Sequence, residues 1–240
     1  MKKIKVLVVV WVIGGLITSL FFLMSKQLQQ NSNQLFAASK IKNKQENSDN
    51  SVNHDELLTL VNYENKLPEN WKVDLVSLNN GQVVDRRIYK DLMEMLQTAK
   101  KEGLNLLICS FYRTQKKQEY LYKNKVNQYL NQGYSKTEAL DKAVFWVARP
   151  KTSEHQLGLT IDIVSMKNQR LDPSQEKTAE QQWLIKNSWK YGFILRYPIN
   201  KNSITKVGYE PWHYRYVGKV HTKRINELGI CLEEYVKMNK

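Results

Sequence analysis

The sequence predicts an α+β fold in a single domain over residues 54–240, and three observations carry that prediction. Short apolar runs that alternate at strand period, such as Val73 to Leu78 and Leu159 to Val164, are present. They sit between stretches with apolar residues at helical spacing, such as Leu92, Met95, Leu96 and Ala99. The chain has 240 residues, 42% of them hydrophobic, which is enough for one core of ordinary size plus a tail, and it contains no internal repeats.

At the amino end, Lys2, Lys3 and Lys5 precede an uncharged run from Val6 to Met24, about long enough to cross a bilayer as a helix. A basic flank before an apolar run predicts an amino terminus inside and the remainder outside. Residues 1–24 are therefore expected to be a single-pass transmembrane anchor, with the domain on the outer face of the cell membrane. A cleaved signal peptide, which would make the protein secreted, has the same charged start but usually a shorter apolar core. Ala37-Ala38 lies too far beyond Met24 to be an obvious cleavage site. Residues 25–53 are Gln, Asn, Ser and Lys with few large apolar side chains, so burial cannot offset the entropy of ordering them, and a flexible polar linker is expected.

The folded part is expected to begin near Asp55. Val73 to Leu78 reads as a strand turned by Asn79-Asn80-Gly81, Arg86 to Lys101 as a helix closing at Gly103, and Leu104 to Phe111 as a dense apolar strand. Gln115 to Leu130 reads as a polar-faced helix. A second helix starts at Ser135, where Glu138 three residues on completes a capping box. It presents Ala139, Ala143, Val144 and Val147 inward and stops at Arg149-Pro150. Leu159 to Val164 is a strand with Thr160, Asp162 and Val164 on one face. A helix with Trp183, Leu184 and Tyr191 then ends at Gly192, and Phe193 to Arg196 is a short strand. Pro198 to Lys206 reads as a loop. Glu210 to Val217 alternates, with His213 and Arg215 on one side and Trp212, Tyr214 and Tyr216 on the other, where Trp212 and Tyr214 are expected to pack in the core. Lys219 to Leu228 is helical until Gly229.

The net charge of +14, from 37 Lys and Arg against 23 Asp and Glu, first suggests nucleic acid, but an export signal argues against it. Outside a membrane the anionic partners are wall polymers and lipid headgroups, and no protein partner is implied. Two cysteines are too few for a disulfide framework. Cys109, in an apolar run, is expected to be a small buried thiol, and Cys231 also sits among apolar neighbours.

The chemistry concentrates in Ser153-Glu-His-Gln-Leu-Gly-Leu-Thr-Ile-Asp162 and in Glu210-Pro-Trp-His213. The first places one imidazole and one carboxylate at a loop-to-strand junction. The second adds another imidazole and a spare carboxylate. A catalytic zinc site takes three protein ligands and leaves a position open for water, and His155, Asp162 and His213 supply two nitrogens and one oxygen. Glu210, not needed as a ligand, is free to act as the base. His155 and His213 are half of the 4 histidines, and an aspartate among Leu, Ile and Val needs a compensating positive charge.

These residues resemble the VanY-type D-alanyl-D-alanine carboxypeptidases of the LAS zinc peptidases, whose pattern Ser-x-His-x-x-Gly-x-x-x-Asp followed by Glu-x-x-His occurs here in full. The resemblance extends to Ser110-Phe-Tyr-Arg113, Gln118, Ala148-Arg-Pro150, Tyr191-Gly-Phe193 and Arg196-Tyr-Pro198. It implies a small central antiparallel sheet flanked by helices, as in LAS and hedgehog domains. It implies Zn2+ on His155, Asp162 and His213, with Glu210 as catalytic base. Arg113 would assist the substrate carbonyl and its developing oxyanion, or hold the terminal carboxylate. Ser153 and Gln118 would bind substrate. The implied activity is a zinc metallocarboxypeptidase that removes the C-terminal D-Ala from peptidoglycan stem peptides. An LD-carboxypeptidase, a bridge endopeptidase and a non-catalytic zinc-stabilised wall-binding module share the same residues and stay open. The sequence departs from the family's usual pattern at Phe111, Lys151 and Lys206, each where glycine is common.

Overall fold

The computed structural model describes residues 54–78 and 81–239. The expected anchor at 1–24, the expected linker at 25–53 and part of the expected turn at 79–81 lie outside the described residues. Among the described residues no helix is long and apolar enough to cross a membrane.

A short helix α1 (His54–Leu57) leads to a hairpin in which β1 (Leu75–Ser77) pairs antiparallel with β2 (Val83–Asp85), a strand the sequence reading did not anticipate. Then follow α2 (Arg86–Lys101), β3 (Leu106–Ser110), α3 (Gln115–Asn131), α4 (Lys136–Val144), β4 (Thr160–Ser165) and α5 (Ala179–Asn187). The chain closes with β5 (Phe193–Leu195), α6 (Asn202–Thr205), β6 (His213–Tyr216), α7 (Lys219–Leu228) and α8 (Leu232–Met238). The central sheet has the order β3-β4-β6-β5 with every pairing antiparallel, as the resemblance implied.

Local chemistry explains most element ends. Asp85 caps α2 by accepting from the Arg87 amide at 2.9 Å, and the helix turns Ile88, Leu92, Met95 and Ala99 into the core at the expected spacing. The capping box at Ser135 and Glu138 is formed. Two residues hold the chain in the left-handed conformation after Tyr191, where Gly192 has φ +82°, and at the close of α7, where Gly229 has φ +63°. The strand β4 is buried along its whole length, and β3 and β6 pair with its two edges.

Four expectations need correcting. The helix α4 ends at Val144, not at Arg149: the Phe145 carbonyl accepts from the Gly208 amide at 3.3 Å, so it leaves the helical ladder. Gly208 packs so tightly against this turn that a Cβ would lie 2.7 Å from Phe145. Cys109 is exposed, because the register shifts between Ile108 and Ser110 and β3 is an edge strand. Cys109 and Cys231 are both free thiols. The expected loop at 198–206 contains α6, and a further helix, α8, follows Gly229.

Lys151 (φ +68°) and Lys206 (φ +58°) adopt the left-handed backbone that glycine tolerates best, which accounts for glycine being common at both positions. Lys206→Gly is therefore expected to raise stability by about 0.5–1 kcal/mol, the relief of the Cβ clash less the added freedom of the unfolded chain. Thermal unfolding checks this: a midpoint equal to or below that of the wild type would show that the strain is not there.

Candidate metal centre

The site grows from one register and two turns. In the sheet, Asp162 stands opposite Ser110 on one side and His213 on the other, and Thr160 stands opposite Arg215, so these side chains share a face. His155 arrives on a 3-10 turn, Glu154–Leu157, which Gly158 closes at φ +77°. A Cβ on Gly158 would lie 2.6 Å from Val73 Cγ1 and 3.1 Å from Asp85 Cβ, so the residue must be glycine for shape as well as for conformation. The turn thus hands the chain to β4 with His155 and Asp162 on the same side.

The second turn is Glu210-Pro-Trp-His213, in which the His213 amide donates to the Glu210 carbonyl at 3.1 Å. This corrects the expectation of a strand from Glu210, since β6 begins at His213. In an extended strand, residues three apart point to opposite faces. The turn, with proline at its second position, folds Glu210 back to the face of His213. Trp212, also displaced from the strand alternation, borders the cavity, while Tyr214 is core and its hydroxyl donates to Gln181 at 3.0 Å.

His155, Asp162 and His213 each offer a ligand atom, and these atoms lie within 4.8 Å of one another, all buried. Asp162 Oδ2 is 3.3 Å from His155 Nε2, and Asp162 Oδ1 is 3.2 Å from His213 Nδ1. The other nitrogen of His155, Nδ1, donates to the Phe111 carbonyl at 2.8 Å, which leaves Nε2 with its lone pair facing the site. Asp162 Oδ1 is buried without a hydrogen-bond partner, an unmet acceptor that a cation would satisfy. Two neutral-capable imidazoles and one carboxylate oxygen are a donor set suited to zinc.

Electrostatics distinguish the groups. Burial pushes the Glu210 carboxyl up to about 8, with neighbouring Asp162 adding to the effect and His213 opposing it. Burial would lower His213, but the neighbouring carboxylates of Asp162, Glu154 and Glu210 overcome it and raise the imidazole to about 9 in the metal-free protein. His155 falls to about 4 through burial and the nearby Arg113. Asp162 sits well below the usual carboxylate range, because the two imidazoles outweigh its burial. Glu210 Oε2 lies 3.4 Å from His213 Nδ1, beside the three ligand candidates and not among them.

All seven residues singled out from sequence fall in this region. Arg113 donates to Asp162 Oδ2 at 3.0 Å and to Ser110 Oγ at 2.8 Å, and it lines the cavity. Ser153 also lines the cavity, and its hydroxyl does not cap the turn that follows. Gln118 is different: fully buried, it donates to the Ala148 carbonyl at 2.7 Å and accepts from Arg113 Nη1 at 3.5 Å. Its side chain is spent on holding Arg113 and the α4 exit. Sequence reasoning missed Glu154, a carboxylate enclosed by Arg196 and Arg215 and directed at His213. The available signal was Arg196, directly after the apolar strand Phe193–Leu195, and Arg215, between two tyrosines, since a buried arginine needs a counter-charge.

The cavity beside these groups measures about 670 Å³. It is lined by His155, Asp162, His213 and Glu210 together with Arg113, and by the apolar Leu121, Val144, Trp146 and Leu171. Charged and apolar lining together suit a peptide whose end is held by charge.

Comparison with known proteins gives consistent results. Residues 81–219 match a family model described as VanY: D-alanyl-D-alanine carboxypeptidase. A D-alanyl-D-alanine carboxypeptidase of Enterococcus faecalis (strain ATCC 700802 / V583) is 42% identical over 184 residues, covering 76% of this chain and 66% of that protein. A solved structure of VanYB in complex with D-alanine-D-alanine superposes with a TM-score of 0.71 at 41% identity, covering 76% of this chain and 98% of that one. A mutant VanY D,D-pentapeptidase from a VanB-type vancomycin-resistance cassette, in complex with Zn(II), gives 0.69 at 41% identity, covering 75% and 99%.

Proposed function

The chain belongs to the VanY family of D-alanyl-D-alanine carboxypeptidases, and we propose that it removes the C-terminal D-Ala from peptidoglycan stem peptides using zinc held by His155, Asp162 and His213. The observation that carries this reading is the convergence of those three ligand atoms within 4.8 Å, with the unliganded Glu210 carboxylate 3.4 Å from one of them. The relatives whose solved structures hold Zn(II) or D-alanine-D-alanine support the metal and the substrate class.

A zinc ion bound there supplies Lewis acidity, lowering the pKa of a water and polarising the scissile carbonyl. The chain supplies the rest. Glu210 accepts the proton of the attacking water on a carboxylate oxygen, and the new C–O bond forms at the carbonyl carbon of the penultimate residue. Arg113, planar and multiply donating, steadies the negative charge that builds on the carbonyl oxygen, with Ser110 and Gln118 holding its guanidinium. When the C–N bond breaks, Glu210 returns its proton to the departing amine of D-Ala. Burial raises the Glu210 carboxyl in the metal-free protein, and a cation bound beside it would draw the group back toward the ionised form that accepts a proton. Ser153, at the cavity wall, is in our reading a hydrogen-bond partner of the substrate.

We place this activity outside the cell membrane, on the strength of the basic flank and apolar run of residues 1–24, with residues 25–53 as a tether that lets the domain reach the wall. The excess of cationic side chains suits the anionic polymers and headgroups found there.

The test is mass spectrometry of defined stem peptides incubated with the purified chain. The expected result is loss of one alanine from a pentapeptide ending in D-Ala-D-Ala, abolished by a chelator, restored by zinc, and unaffected by a β-lactam, since no serine nucleophile takes part. Loss of D-Ala from a tetrapeptide but not from a pentapeptide would replace this reading with an LD-carboxypeptidase.

A further inference from the structure

We propose that Glu154 is a positioning residue: it receives the Nε2 proton of His213 and so fixes the tautomer that turns Nδ1 toward the metal site, with Arg196 and Arg215 holding the carboxylate in place. This rests on the metal-binding half of the function proposed above.

The two candidate imidazole ligands present different nitrogens to the site. His155 turns Nε2 inward and secures its Nδ1 proton on the Phe111 carbonyl at 2.8 Å. His213 turns Nδ1 inward, 3.2 Å from Asp162 Oδ1 and 3.4 Å from Glu210 Oε2, so its Nε2 needs an acceptor on the opposite side. What lies there is Glu154 Oε2, at 3.6 Å. Both atoms are buried and neither has a hydrogen-bond partner among the described residues. A shift of about half an ångström brings them to bonding distance. Among the described residues no backbone carbonyl serves His213 as Phe111 serves His155.

The carboxylate is held from behind. Its other oxygen, Oε1, accepts from Arg196 Nε at 2.8 Å and Arg215 Nη1 at 2.9 Å. Both guanidiniums are themselves pinned: Arg215 Nη2 donates to the Leu57 and Thr59 carbonyls at 2.9 Å, and Arg196 donates to both oxygens of Glu233, on α8, at 2.8 and 2.6 Å. Two cations and two carboxylates thus form a neutral set, buried but for the partly exposed Glu233, and one oxygen of Glu154 is left over, aimed at the imidazole.

This arrangement makes glutamine an informative replacement. With two guanidiniums on one side, the amide of Glu154→Gln must turn its oxygen to the arginines, and its NH2 then faces His213 Nε2. That NH2 demands an acceptor, so the Nε2 lone pair is drawn outward and the proton moves to Nδ1, the nitrogen the metal needs bare.

The experiment measures zinc affinity of the full chain by competition with a chromophoric chelator, for wild type and Glu154→Gln, with circular dichroism of the metal-free proteins as the check on folding. The expected result is a folded variant that binds zinc about 10–100-fold more weakly. A folded variant with wild-type affinity would overturn the proposal. Should the variant fail to fold, the zinc-loaded wild type labelled with 15N-histidine decides: a slowly exchanging proton on His213 Nε2 supports the proposal, and a bare Nε2 overturns it. A wild-type chain that takes up no zinc at all would overturn the proposed function, and this inference with it, which sets that outcome apart from a difference between variants.

Discussion

Glu210→Gln is expected to lower D-Ala release by about 10³-fold while the protein retains its zinc. The substitution keeps size and removes only the capacity to accept and return a proton. The prediction is specific because Glu210 lies outside the set of three ligand atoms yet 3.4 Å from His213 Nδ1. Metal analysis and single-turnover assays on the same preparation separate the two properties. Loss of zinc together with activity would make Glu210 a ligand. Unchanged activity would remove it from the chemistry and favour a binding module that has no use for a base.

The same variant has a pH signature in the metal-free protein. The carboxyl is raised from an ordinary 4.5 to about 8 in the fold, chiefly by burial, so between those values the folded chain binds the proton that the unfolded chain has released. Stability from this group is fully present below about 4.5 and is lost as pH rises through about 8. Glu210→Gln, neutral throughout, is expected to flatten that decline, so that its stability relative to wild type improves from pH 5 to pH 8. Denaturant titrations at the two ends of the range check the sign.

Arg196→Met is the second large effect, this time on stability. Arg196 is fully buried and bonds Glu154 at 2.8 Å and Glu233 at 2.6 Å, so its removal strands one carboxylate with a single partner and leaves the other with none of its guanidinium bonds. Breaking such a set from one side costs roughly 3–5 kcal/mol, because a buried charge is left uncompensated. Urea denaturation is expected to show a lower midpoint at an unchanged slope. A loss below about 1 kcal/mol would mean that water reaches the carboxylates and that the set is not the dry network described. Acid should act in the same direction. Burial alone would raise Glu154, but Arg196 and Arg215 hold it below the usual carboxylate range. Its contribution is present above about 4.5 and is lost as the pH falls below that.

The distribution of these effects shows how the polar interior is organised. Arg215 and Thr160 share the sheet face with Asp162 and His213, so the ligands and the ion set are neighbours on one surface. Glu233 comes from α8, a helix that begins after Gly229 and was not expected there. The carboxy-terminal helix thereby takes part in the polar core through Arg196, and it also packs Leu232 and Tyr235 with Ile194, Val217 and Ile225.

Periodicity and residue type were sufficient, from the chain alone, for the α+β class, most helices and central strands, and for singling out the three ligand candidates and the carboxylate of Glu210 that the fold brings beside them. Those features are local: a strand's alternation, a capping box or a glycine stop is a property of a few adjacent residues. What the tertiary structure decided is everything that depends on which strand lies beside which. The register that sets Asp162 against His213 is of this kind. So is the Glu210 to His213 turn, which carries the Glu210 carboxyl to the face of His213 where a strand would have sent it away. Gln118 is spent on Arg113 rather than on the cavity. Glu154, one residue before a ligand, shows its part only when Arg196 and Arg215, some forty and sixty positions on, fold around it. A charge in the sequence carries no sign of its partner, because pairing in a dry interior is fixed by proximity in space, and proximity is what folding creates.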